Sequence, residues 1–201
     1  MTENNQDRQD MNQQDNAQIV HVDLPLTDDA IDALHCGDKV MLSGVLYTAR
    51  DAAHGRIVDA IDKGEPTPFD LRGQLINYCG PTPAKPGKVI GSCGPTTSGR
   101  MDSFTPKLLD MGLKGMLGKG PRSSEVIDAI KRNHAVYFSA VGGAAALIAK
   151  SIRKADVIAY DDLGPESVKR MVVENMPCIV TVDSTGRNLY EEGPAKYRKQ
   201  A

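Results

Sequence analysis

The sequence contains no tryptophan, and aromatic residues make up only 4% of it. Stacking platforms for nucleic-acid bases are hard to build from so few rings. It also lacks a basic stripe. Lys and Arg total 24 against 26 Asp and Glu, for a net charge of −2, which argues against nucleic acid or an anionic membrane as a partner. No apolar run reaches the length of a membrane span. The opening stretch MTENNQDRQDMNQQDNAQ has no apolar core and does not read as a signal peptide. These features point to the cytoplasm. The four cysteines, Cys36, Cys79, Cys93 and Cys178, include no C-x-x-C pair and have no histidine at zinc-finger spacing. In a reducing compartment they are expected to be free thiols, most simply buried small side chains.

What is present suits one domain with short extensions: 201 residues, 40% of them hydrophobic. Residues 1–18 are rich in Asn, Gln and Asp and cannot bury enough apolar surface to offset ordering entropy, so a disordered tail is expected. A domain is expected over 19–194, followed by a polar tail over 195–201. Thr27 reads as an N-cap, with a helix ending near Gly37. Strands are expected over 39–46, 75–79, 89–93, 115–117, 135–141, 157–160 and 179–182. Helices are expected over 50–63, 105–111, from Ser123 or Ser124 to Asn133, and over 144–152 after Gly142-Gly143. Ile57, Ala60 and Ile61 form one apolar helix face, which Gly64 ends. The alternation of strands and helices in the second half predicts the α/β class. The first half reads more as strands and turns.

Four constellations can carry chemistry. Gly94-Pro95-Thr96-Thr97-Ser98-Gly99-Arg100-Met101-Asp102 lies between an expected strand and a helix, where backbone N–H groups and a helix dipole favour an anion. Its hydroxyls add donors, and Arg100 adds a planar fork for a carboxylate. The plainer alternative is a turn that caps its own helix. The G-K-[ST] ending of a phosphate-binding loop is absent. Arg50-Asp51-Ala52-Ala53-His54 lies at a second strand-to-helix junction. There Arg50 can lean toward the same sheet edge, Asp51 can cap the helix or hold Arg50, and His54 is either an acid–base group or an ordinary surface residue. Gly118-Lys119-Gly120 offers a point charge between glycines that allow close backbone approach, or simply a surface turn. Val141-Gly142-Gly143-Ala144 is a further helix start, more simply explained by close helix–sheet packing. Arg50, Arg100 and Lys119 thus put three cations on three strand-end loops, the usual ligand position in α/β sheets. That number suits a four-carbon dicarboxylate.

The segments SGVLYTARDAAH, YCGPTPA, CGPTTSGRMD, GKG, AVGGAAALIAK, DDLGPESV and MPCIVTVDSTG, running from about 24 to 194, resemble the class I fumarase and tartrate dehydratase group of iron–sulfur hydro-lyases. The resemblance is to the β subunit, equivalent to the C-terminal domain of single-chain members. It implies a swivelling β/β/α-type domain with a mixed sheet and flanking helices. It also implies a cluster-bearing α subunit as partner, with the [4Fe–4S] cluster on that partner and none bound by this chain. The reaction implied is reversible hydration of fumarate to (S)-malate, or of a related dicarboxylate such as tartrate. By the same resemblance Arg50, Arg100 and Lys119 are substrate-carboxylate ligands, and Thr96 is the proton acceptor with Thr97 as the alternative. The general acid comes from the partner. A stand-alone anion-binding module without catalysis is the reading from a different class. A lone subunit also exposes the face meant for its partner, and such a patch can pair with a second copy as a homodimer.

Overall fold

A computed structural model of the chain describes residues 19–140 and 145–198. The expected disordered tail, the Gly142-Gly143 helix start and residues 199–201 lie outside the described residues. Seven strands form one mixed sheet: β1 (Val20–Asp23), β2 (Lys39–Thr48), β3 (Leu75–Asn77), β4 (Gly115–Gly118), β5 (Val136–Ser139), β6 (Ile152–Ala159) and β7 (Val168–Val182). Its order is β1-β2-β3-β4-β5-β7-β6, with a further pairing of β2 to β7. The pairings β2–β3–β4–β5 are parallel, while β7 runs antiparallel to both β5 and β2. Strands β2, β3, β4, β5 and β7 therefore close a ring. Among the described residues six α-helices flank it: α1 (Asp28–Asp32), α2 (Asp51–Asp62), α3 (Thr105–Asp110), α4 (Ser124–Asn133), α5 (Ala145–Ser151) and α6 (Leu189–Tyr197). The expected α/β class with a mixed sheet and flanking helices is what the chain adopts. No helix among the described residues is long and apolar enough to cross a membrane.

Strand alternation divides the apolar residues between two cores. Leu75, Leu117 and Phe138 enter one cluster with Leu42, Leu46, Met171 and Val180. Their chain neighbours Ile76, Met116 and Tyr137 enter the other, against Ile57 of α2, Leu108 of α3 and Ile130 of α4. The central parallel strands are thus buried on both faces, which is why they read as unbroken apolar runs rather than as alternating ones. Thr27 caps α1 as expected, accepting from the Ala30 amide at 3.2 Å. Ser123 caps α4, accepting from the Val126 amide.

Three local expectations are corrected. Helix α1 ends at Asp32 rather than near Gly37, because the chain beyond it turns to bond the sheet: the Gly37 amide donates to the Val180 carbonyl at 2.8 Å. Residues 89–93 form no strand. Pro81, Pro83 and Pro86 supply no backbone donors, and the segment closes on itself through Thr82, whose hydroxyl accepts from the Ser92 amide at 2.9 Å. The separate strand expected over 179–182 is the end of β7, which starts at Val168. Helix α6 runs on to Tyr197, through the first residues of the expected polar tail at 195–201. The Asn188 side chain caps it, accepting from the Tyr190 amide at 3.1 Å, and Glu191 and Glu192 lie in its first turn, where the dipole favours them.

Strand β2 must be irregular to serve the ring, and Gly44 makes it so. The β2–β7 register shifts between Leu42 and Gly44. Gly44 has φ +121°, and a Cβ there would lie 2.6 Å from the Leu24 carbonyl oxygen. Gly44→Ala should therefore destabilise the fold by roughly 1–3 kcal/mol, read as a lower urea midpoint. An unchanged midpoint would contradict this account of the bulge.

Candidate active site

The expected site residues lie at the carboxyl ends of the parallel strands. Strand β2 leads to Arg50 and Asp51 at the start of α2, β3 leads to Tyr78-Cys79-Gly80, and β4 leads to Lys119. The loop after Cys93 is laced between the last two. The Thr96 amide donates to the Tyr78 carbonyl at 2.7 Å, Cys79 bridges Pro95, and Thr97 bridges Lys119. The Ser98 amide donates to the Lys119 carbonyl at 2.8 Å, and the Ser98 hydroxyl accepts from the Lys119 amide at 2.9 Å. This lacing demands Gly118, where a Cβ would come within 1.9 Å of the Ser98 hydroxyl oxygen. Arg100 lies within the 3-10 turn Ser98–Met101 that continues the loop.

The cations are held by carboxylates. Arg100 donates from Nη2 to Asp51 Oδ2 at 2.5 Å. Asp51 Oδ1 faces Arg50 Nε at 3.8 Å, and Arg50 Nη2 lies 3.1 Å from Glu166 Oε1. Glu166, Arg50, Asp51 and Arg100 therefore form a line of alternating charge. Lys119 is exposed. Among the described residues the lysines found in ion pairs are Lys107, Lys114, Lys131 and Lys154, and Lys119 is in none. Thr96 is half-buried and Thr97 exposed.

Beneath the rim lies a group that sequence reasoning missed. Arg122 has a fully buried guanidinium, and its Nε meets Asp102 Oδ1 at 2.7 Å. The other Asp102 oxygen accepts from the Ser123 amide at 2.8 Å. Arg122 Nη2 donates to the Thr105 hydroxyl at 2.8 Å, and the guanidinium lies over Tyr78 and Tyr137 at 5.3 and 5.0 Å. Tyr137 donates to the Gly120 carbonyl at 2.9 Å and shares a 2.8 Å hydrogen bond with Ser98. Burial pushes its phenol up to about 12, so it stays protonated and keeps donating. The signal for this group was the Asp102 that closes the GRMD run, with an Arg two residues past GKG. Nothing in that spacing says that the two meet inside the protein.

His54 is not the ordinary surface residue of one sequence reading. It is fully buried, its Nδ1–H donates to the Arg50 carbonyl at 2.9 Å, and its ring meets Tyr78 edge-on at 5.3 Å. Burial pushes its pKa down to about 4 from 6.5. It is therefore a neutral post that steadies the Arg50 backbone.

A [4Fe–4S] cluster needs cysteine thiolates, and the cysteines present do not fit one. Cys79, Cys93 and Cys178 are buried, and Cys36 is partly so. Among the described residues no group of three or more His, Cys, Asp or Glu side chains could hold a metal ion. Burial pushes the Cys36 thiol up to about 11 and the Cys178 thiol far above its ordinary value. A hydrogen bond with Cys93, with burial, does the same for Cys79. Cys36, Cys79 and Cys178 are thus held as thiols.

The domain thus carries the guanidinium groups of Arg50 and Arg100 and the ammonium group of Lys119 on strand-end loops, the usual ligand position of α/β sheets. The chain belongs to the fumarase C-terminus family, whose model matches residues 1–193. It is 40% identical over 158 residues to "Fumarate hydratase 2" of Leishmania major, covering 78% of this chain and 28% of that protein. It is 36% identical over 156 residues to "Fumarate hydratase class I, aerobic" of Escherichia coli, covering 77% of this chain and 28% of that protein. It is 38% identical over 173 residues to "Putative L(+)-tartrate dehydratase subunit beta" of Methanocaldococcus jannaschii, covering 83% of this chain and 89% of that protein. The chain thus spans about 28% of the length of the fumarate hydratases that it matches, but nearly all of the β-subunit relative.

The buried His54 sets a pH test. A pKa lower in the fold than in the unfolded chain means that protons bind the unfolded state preferentially. Its contribution is then complete above pH 6.5 and declines as the pH falls toward 4. The full loss amounts to roughly 3 kcal/mol. Comparing unfolding free energies of the wild type and His54→Asn between pH 7 and 5 isolates it from the carboxylates. The wild type should lose stability more steeply, and parallel curves would contradict the assignment.

Proposed function

We propose that this chain is the β subunit of a two-subunit iron–sulfur hydro-lyase that interconverts fumarate and (S)-malate. The observation that carries the reading is the meeting of Arg50 and Arg100 on the Asp51 carboxylate, with Lys119 bridged through its backbone to the same threonine loop. Two guanidiniums and an ammonium match the two carboxylates of a four-carbon substrate. Hydration and its reverse move a weakly acidic C–H proton and build negative charge beside a carboxylate, which fixed cations stabilise. Thr96, half-buried on the laced loop, is assigned as the proton acceptor, with Thr97 beside it as the alternative. Its hydroxyl is a weak base near neutral pH, so the neighbouring cations must favour its deprotonated form.

The [4Fe–4S] cluster and the general acid belong, on this proposal, to a separate α subunit. The 38% identity to a relative whose name gives it as a subunit beta supports that division. The swivelling β/β/α type and a cytoplasmic location complete the proposal. The match along most of the Methanocaldococcus relative favours a second substrate reading, L(+)-tartrate dehydration, in the same reaction class.

The test is anaerobic reconstitution with the cluster-bearing partner, followed by assays with fumarate, (S)-malate and tartrate. The partner alone should show little activity, and the assembled enzyme should prefer malate and fumarate. Arg100→Ala should lower kcat/KM by roughly a hundredfold or more, in line with about 3 kcal/mol for a charge-assisted contact, without unfolding the chain. Full activity of the partner alone, or normal kinetics of Arg100→Ala, would remove this chain from the site. Faster turnover of tartrate would move the substrate assignment.

A further inference from the structure

The segment Asp161-Asp162-Leu163-Gly164-Pro165-Glu166-Ser167-Val168 enters the site through the Glu166–Arg50 ion pair and forms one wall of it. It joins β6 to β7 as a short helical turn, Asp161–Glu166, kinked at Gly164, where φ is +56°. Both of its ends are tied down. On one side Arg56 of α2 forks onto Asp162, with contacts of 2.8 and 2.5 Å, and lies over the Tyr160 ring at 5.2 Å. On the other side the Lys169 ammonium donates to the Gly164 carbonyl at 3.2 Å, the Pro165 carbonyl at 3.3 Å and the Ser167 hydroxyl at 2.5 Å.

So anchored, the loop delivers the Glu166 carboxylate to Arg50. The opposite wall is Gly80, where a Cβ would come within 3.1 Å of Arg50 Nη1 and 3.4 Å of the Pro165 carbonyl. The guanidinium is boxed between the two walls. Its Nε is buried without a hydrogen-bond partner, as is Asp51 Oδ1 beside it. The strand-to-helix junction that carries Arg50 therefore does not fix its head. The ion pair with Glu166, at 3.1 Å and with both side chains about three-quarters buried, does so.

We propose that Glu166 is a positioning residue for the Arg50 clamp, holding the guanidinium in its binding orientation before substrate arrives. This rests on the clamp reading above. An arginine side chain loses considerable rotamer freedom when it is fixed. A clamp already fixed by the protein spares the substrate that cost, and the saving falls on binding rather than on the chemical step.

The experiment is a double-mutant cycle on the reconstituted enzyme, with fumarate hydration as readout and melting temperatures as the folding control. Glu166→Gln keeps the shape and removes the charge. It should raise KM by roughly 3- to 10-fold, the order expected for one newly immobilised side chain, with kcat within about threefold. Because Glu166 acts through Arg50, the pair Arg50→Ala/Glu166→Gln should have the same kcat/KM as Arg50→Ala alone. Should Glu166→Ala fold poorly, the isosteric Gln variant carries the test. The inference is overturned if Glu166→Gln has wild-type KM, if it lowers KM as a competitor for Arg50 would, or if the two substitutions multiply. If Arg50→Ala is itself kinetically normal, the clamp reading fails as well. If Arg50→Ala is impaired and Glu166→Gln is normal, only the role of Glu166 is lost.

Discussion

The buried ion pair of Arg122 with Asp102 is the contact on which the site depends. It joins the end of the threonine loop to the segment after β4, with the arginine head wholly out of water. A charge in that position is tolerable only with partners on every side, and it has them: Asp102, Thr105 and the faces of Tyr78 and Tyr137. Removing one partner of such a pair costs about 3–5 kcal/mol, because the other is left buried and unpaired. The pair thus fixes Ser98–Met101 against β4 and sets where Arg100 begins.

Above this base, the geometry follows from lacing. The loop from Gly94 runs between the ends of β3 and β4 and borrows backbone bonds from both. A loop held in that way presents side chains with strand-like precision while lying at the sheet edge. The cations come from two directions: Arg100 and Lys119 from this lacing, and Arg50 from the end of β2. Asp51 spans them, one oxygen toward each guanidinium. Close packing supports the arrangement from below, with His54 neutral under Arg50 and Tyr137 protonated under Ser98.

Much of this was legible in the sequence because it depends on local signals. Thr27 and Ser123 announce helix starts, and Gly64 announces a stop. The glycine- and hydroxyl-rich run before Arg100, like the glycines around Lys119, marks chain that must approach other backbone closely. What escaped depends on distant partners. Strand β7 passes through Glu174-Asn175-Met176-Pro177, with Asn175 at φ +51° opposite the irregularity at Gly44. The ring closes by pairing residues such as Thr48 and Lys169, a contact that local periodicity does not record. Arg122 belongs to none of the four constellations read from the sequence, and only the fold reveals that it is buried. The role of the DDLGPES segment was hidden for the same reason, since Glu166 reaches Arg50 across more than half the chain.

The central claim is that Arg50, Arg100 and Lys119 of this chain grip the two carboxylates of a substrate. The most direct measurement is a crystal structure of the chain assembled with the proposed cluster-bearing partner and soaked with succinate, a four-carbon dicarboxylate that cannot react. The account predicts carboxylate oxygens within about 3 Å of the Arg50 and Arg100 guanidiniums, with the Lys119 ammonium beside one of them. Succinate bound away from these side chains, with both arginines still engaged only by Asp51 and Glu166, would contradict it.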